Sequence, residues 1–177
     1  MEAMNVLLER RSCRSYKPDM VPDDVLEEIL KAGTYAASGR GKQAPIILAV
    51  TNKEVRDRLA AINNDIAGGP EGHDQFYGAP VVLVVLADRN AARTYLYDGS
   101  LVMGNLMLAA WDKGVNSCWI HRARETFETE EGKALLKELG IEGDYEGIGN
   151  CVLGYATGPD AFRSPAPRKE NYIYYIK

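Results

Sequence analysis

Arg10, Ser12 and Arg14 alternate in the stretch RRSCR, and Lys17 follows closely. A helix end passing into a turn can aim Arg10, Ser12 and Arg14 at one point. Two guanidiniums and a hydroxyl there match a phosphate dianion, because each charge-assisted hydrogen bond contributes about 1.5–3 kcal/mol. The cluster stands out in a chain whose formal net charge is −4. Taken alone, the same residues also fit a solvated basic turn pairing with Glu9 or Asp19. Two further loops are rich in donors. ASGRGKQAP (37–45) offers Ser38, Arg40, Lys42 and Gln43, with two glycines that permit close backbone approach, and PAPRKENY (165–172) offers Arg168 and Lys169.

Other chemistries fail on spacing. Gly147-Ile148-Gly149 begins a dinucleotide fingerprint, but Val152 stands where the third glycine is required. Gly41-Lys42 lacks the hydroxyl and the first glycine of a P-loop, and no G-x-S-x-G elbow exists for serine hydrolysis. Cys118 and His121 have a metal-like spacing, yet only Cys13, Cys151 and His73 remain as partners of those types, so no metal is expected. A thiol enzyme using Cys118 with His121 is the third-ranked reading. Cys118 reads more simply as a small apolar residue in a strand.

The elements that must position these groups follow from patterning. A short helix over Ala3 to Arg11 carries the basic cluster at its end. Pro22, Asp23 and Asp24 start a second helix that runs to about Tyr35. Ile46 to Val50 reads as a buried strand. Asn52 caps a helix from Lys53 to about Asn63, and Gly68 to Gly78 is a loop. Val81 to Leu86 is the strongest strand. Tyr95 to Lys113 is apolar on every face and reads as a central buried helix in which Gly99 and Gly104 mark close approach by other elements. Asn116 to Ile120 and Glu146 to Tyr155 are strands, with a surface helix over Thr129 to Leu139 between them. The tail ENYIYYIK is aromatic and β-prone, and left exposed it would be an aggregation edge, so it is expected to pair with a sheet of its own or of a second copy.

The 177 residues fit one domain, 1–177, of mixed α/β (α+β) class. The acidic balance argues against a nucleic-acid partner. The longest apolar run, Ala79 to Ala87, is too short to cross a bilayer, so no membrane partner is expected. Three widely spaced cysteines form no disulfide framework, and a cytoplasmic setting is the simplest.

In order along the chain, RRSCR, ASGRGKQAP, YGAPVVLVVLAD, YDGSLVMGNLMLAAWDKGVNSCWI and GIGNCVLGYA with its basic tail resemble the nitroreductase family of FMN-dependent NAD(P)H oxidoreductases, over essentially the whole chain. The resemblance implies a central mixed sheet flanked by helices and an intertwined homodimer with exchanged C-terminal tails. It implies that Arg10, Ser12 and Arg14 bind the FMN phosphate, with Arg11 adjacent and Arg168 and Lys169 returning to it. Ser38, Arg40, Lys42 and Gln43 would contact the flavin from the partner subunit, and Ile120, His121 and Arg122 would run past the isoalloxazine, a backbone N–H reaching N5. No catalytic side chain is then required, because the flavin carries the chemistry. The resemblance implies that hydride passes from NADH or NADPH through the flavin to a small electron-poor acceptor (nitroaromatic, quinone or activated alkene), with ping-pong kinetics. The alternative is a flavin-binding or flavin-supplying protein with little direct NAD(P)H turnover, motivated by Arg122 beside the ring. His121-Arg122 stands where the family commonly has an acidic residue and glycine, Gly41 replaces a loop asparagine, and the chain is short for the family, so the pocket above the ring differs.

Overall fold

The structure, a computed structural model, describes residues 2–177. The strands β1 (Pro45–Val50), β2 (Val81–Asp88), β3 (Asn116–Ile120) and β4 (Tyr145–Gly154) form a sheet in the order β1-β2-β4-β3, antiparallel at every pairing. Beside β3, the segment after the first helix makes one parallel bridge, Ser12 to Ser117. The sheet is thereby extended by a short irregular edge that carries the basic cluster.

Period-two alternation decides which helix packs on which face. On β2, Val82, Val84 and Leu86 point to one core, and Val81, Leu83 and Val85 to the other. The first core is closed by Leu59 and Ala60 of α3 (Lys53–Ala67), Phe127 of α5 (Ala123–Glu128), and Leu135 and Leu136 of α6 (Glu130–Glu138). The second is closed by Leu26 and Ile29 of α2 (Asp23–Thr34) and by Val102, Met103, Leu106 and Ala110 of α4 (Tyr95–Asp112). The helix α1 (Ala3–Glu9) lies against α4. Residues of β2 from Val81 to Ala87 are buried on both faces, which is why that strand reads as an unbroken apolar run.

Most elements fall where the patterning puts them, and the differences have physical causes. The helix α3 continues four residues past Asn63 and stops at Gly68, whose left-handed φ of 63° caps it. The strand β1 is a half-buried edge strand, since no strand among the described residues covers its outer side. Gly99 does mark a close approach, because a Cβ there would lie 2.5 Å from Ile148, but Gly104 faces open space. The helix α4 is not enclosed all round: Leu96, Tyr97 and Leu101 are exposed. The tail from Tyr172 to Ile176 is exposed throughout and pairs with no strand among the described residues.

Candidate functional site

The chain leaves α1 at Arg10 in extended conformation and is then stitched to β3 and the tail. Cys13 N–H donates to the Ser117 carbonyl at 3.0 Å and Arg14 N–H to the Ala161 carbonyl at 2.8 Å. This bonding occupies the main chain and leaves the alternate side chains free to face outward. A cleft of about 730 Å³ forms there, and its polar lining is Arg10, Arg11, Ser12, Arg14, Arg163 and Arg168. Among the described residues, five guanidiniums and no carboxylate line it. Arg11 is turned back onto the Leu8 and Arg10 carbonyls at 2.8 and 2.9 Å, and Arg14 reaches the Ser12 carbonyl at 3.4 Å. Arg10 Nη1 is buried with no hydrogen-bond partner.

A buried bare donor costs about 1–3 kcal/mol, so its position is informative. Besides Arg10, three described side chains carry such atoms: Ser117 Oγ, Trp111 Nε1 and Asn63 Oδ1. Ser117 bridges Ser12, and Trp111 stacks edge-on, centroids 6.4 Å apart, against Phe162, which bridges Cys13. Arg10 thus lies in residues 10–14, Ser117 bridges them directly and Trp111 touches them only through Phe162, and all three can donate.

The loop 38–43 lies at a different cleft, of about 400 Å³, lined in part by Ser38, Gln43 and Asp98. Asp98, 3% exposed, accepts from Gly39 N–H at 3.1 Å and from the Thr94 hydroxyl at 3.2 Å, while Ser38 Oγ accepts from Gln43 N–H at 3.2 Å. Arg40 and Gln43 both hold positive φ, 52° and 50°. These bonds force a tight loop that leaves Arg40 and Lys42 exposed. The two clefts share no lining residue.

Ile120, His121 and Arg122 end β3. Ile120 is buried, His121 exposed and Arg122 half-buried, and none of the three lines either cleft. Arg122 adopts the left-handed conformation (φ 73°, ψ 15°). The backbone just beyond it abuts Gly147, where a Cβ would fall 2.2 Å from the Ala123 carbonyl. Lys169 stands outside the arginine cleft with its ammonium 5.2 Å from the centre of the Tyr172 ring.

Burial pushes the thiols of Cys13 and Cys118 above their ordinary value, and that of Cys151 to about 12. Cys118 is 3% exposed, so it is a poor source of thiolate and the thiol-enzyme reading loses its nucleophile. Four residues that patterning did not single out shape these sites. Arg163 joins the arginine cleft from the proline-rich tail. Asp98, in the first turn of α4, builds the 38–43 loop. Asn63 and Asn150 both donate to the His121 carbonyl.

Superposition defines the class first. Over all of both chains the fold matches a nitroreductase of Bacteroides fragilis crystallised with bound FMN, at TM-score 0.87 and 27% identity. The model of the nitroreductase family matches residues 7–155, and the chain belongs to that family. A relative from Methanothermobacter thermautotrophicus, whose provisional name pairs NADH dehydrogenase with NAD(P)H nitroreductase, is 26% identical over 127 residues. The FMN reductase [NAD(P)H] of Bacillus subtilis is 33% identical over 97 residues. The aligned stretches cover 67% and 55% of this chain, and 60% and 36% of those two relatives' own length.

Proposed function

We propose that the protein is an FMN-dependent oxidoreductase that draws reducing equivalents from NADH or NADPH and passes them to a small electron-poor acceptor such as a nitroaromatic, a quinone or an activated alkene. The observation that carries this reading is Arg10 Nη1, a buried donor without an acceptor, beside a cleft of arginines free of carboxylates. An acceptor-only dianion supplies what that donor lacks. A phosphate ester, the group that FMN carries, therefore fits the residues present.

Arg10, Ser12 and Arg14 would hold the phosphate, with Arg11 and Arg163 raising the local positive potential and Arg168 closing the cleft from the tail. Ser38, Arg40, Lys42 and Gln43 would bring donors and positive charge to the ring from a second copy of the chain. Ile120, His121 and Arg122 would supply a backbone wall beside it. Bound FMN would supply reversible hydride chemistry at its ring, which is why no acid, base or nucleophile from the chain is needed. The chain's own part is to bind, orient and keep the ring beside an opening that donor and acceptor use in turn. Such alternation gives ping-pong kinetics, read as parallel initial-rate lines. Intersecting lines would refute a shared opening.

The second copy is part of the proposal. The two clefts have no residue in common within one chain, β1 has an unpaired outer edge, and Leu7, Leu8, Leu96, Tyr97 and Leu101 are exposed together with the Tyr172–Ile176 tail. A homodimer with exchanged tails would cover these surfaces. Sedimentation should give twice the 19.5 kDa chain mass; a monomer at micromolar concentration would refute it.

Mixing FMN-loaded protein with NADH or NADPH in a stopped-flow instrument tests the enzyme directly. Rapid bleaching of the visible flavin bands supports turnover by this chain. Absence of bleaching with both donors favours the flavin-supplying reading, in which Arg122 at the end of β3 obstructs the nicotinamide.

A further inference from the structure

Two buried amides converge on one carbonyl oxygen at the end of β3. Asn63, from α3 and with 0% exposure, donates from Nδ2 to the His121 oxygen at 2.8 Å. Asn150, from β4 and 2% exposed, donates to the same atom at 3.3 Å. Asn63 holds this orientation although its own Oδ1 is left buried and bare. A leucine of similar size would pack there without a bare polar atom, so packing alone does not explain the asparagine.

The residue after the clamped carbonyl explains it better. Arg122 is left-handed, a conformation natural to glycine and strained for arginine. Its guanidinium makes no hydrogen bond or ion pair with any described residue, so the side chain does not hold the turn. The main chain is held instead from both sides. The amides grip the His121 carbonyl, and Gly147 admits the Ala123–Arg124 backbone, with a hypothetical Cβ 2.2 Å from the Ala123 carbonyl and 2.6 Å from Arg124 N.

We infer that Asn63 and Asn150 are positioning residues: by gripping the His121 carbonyl they fix the His121–Arg122 peptide in its left-handed turn and so set the direction of the backbone N–H groups that the prosthetic ring meets. The inference rests on the FMN reading above for its functional half, and on the geometry alone for its structural half.

The test uses Asn63→Ala and Asn150→Ala, with Asn150→Ser, which retains a shorter donor, as the milder variant should either alanine form fold poorly. In the protein without FMN, hydrogen exchange of the Thr126 amide, which donates to the Arg122 carbonyl at 3.0 Å, should quicken at least about tenfold in the alanine variants and less in Asn150→Ser. Unchanged exchange overturns the clamp. With FMN bound, the visible flavin spectrum should shift and kcat fall at least about tenfold while KM for the nicotinamide donor stays within about threefold. Adding Arg122→Gly, which removes the left-handed strain, should recover part of that loss. Faster exchange with an unaltered flavin spectrum and kcat overturns the positioning role. Wild-type protein that binds no FMN overturns the cofactor reading and, with it, the functional half, whereas FMN-binding wild type with unaltered variants overturns this inference alone.

Discussion

The segment 10–14 bridges the start of β3 at Ser117, and it and the residues just past the far end of β3 are satisfied in opposite ways. In the first, the main chain is bonded to β3 and the tail while the side chains are left with unmatched charge and a buried bare donor. In the second, the side chains of His121 and Arg122 make no hydrogen bond or ion pair among the described residues, while the backbone between them is held by two buried amides. Unmatched side-chain charge is what a site needs to capture an anion. A fixed backbone is what it needs to present dipoles in one direction without reorganisation. On the proposed reading, one region supplies affinity and the other orientation.

Breaking the first region should give the largest effect. Replacing Arg10 by alanine should weaken FMN binding by roughly 10–150-fold, the equivalent of one charge-assisted interaction. The unfolding midpoint of the FMN-free protein should hold or rise, because a bare buried donor disappears. Fluorescence titration and thermal unfolding measure the two sides, and a variant that loses stability but not affinity would reverse the assignment.

A change at the second region should act on stability first. Gly147→Ala drives a methyl group into the Ala123 carbonyl, and overpacking of this kind costs about 1–3 kcal/mol. Calorimetry should show a fall of roughly 3–10 °C in unfolding temperature. An unchanged midpoint would mean that the turn yields easily and is not held.

Acid sharpens the contrast, because the strand that carries Gly147 and Asn150 also carries Glu146. Burial raises the Glu146 carboxyl, but hydrogen bonds from Tyr95 and Arg89, with the Arg124 charge nearby, outweigh it and hold the group below its ordinary value of 4.5. A carboxylate depressed in the folded state contributes stability in full above pH 4.5 and loses it as pH falls through the lower folded value. Denaturant unfolding at descending pH should therefore show a loss in the wild type that is smaller in Glu146→Gln. The smallest effect is expected at Arg163, which is exposed: its alanine variant should weaken FMN binding less than about threefold.

The sheet and its main helices were legible in the sequence because periodicity and caps agree there. The strand β3 and the start of α2 are examples, each announced by local chemistry. The helix α5 was not legible. Its six residues hold few apolar positions, and it forms against β4 through the space that Gly147 leaves. The arginine segment was visible because cations crowd an acidic chain, but Arg163 was hidden in a proline-rich tail whose path only the fold reveals. Asn63 and Asn150 could not be read at all, since nothing in a sequence says which asparagine is buried against a distant carbonyl.

On the proposed reading the arginine cleft holds the phosphate, and comparing FMN with riboflavin isolates it. Equilibrium titration of the protein with both, at low and at raised salt, should give FMN an affinity at least about 100-fold higher, with an advantage that shrinks as salt rises. Equal affinities for the two flavins, or an advantage indifferent to salt, would contradict phosphate capture by Arg10, Ser12 and Arg14.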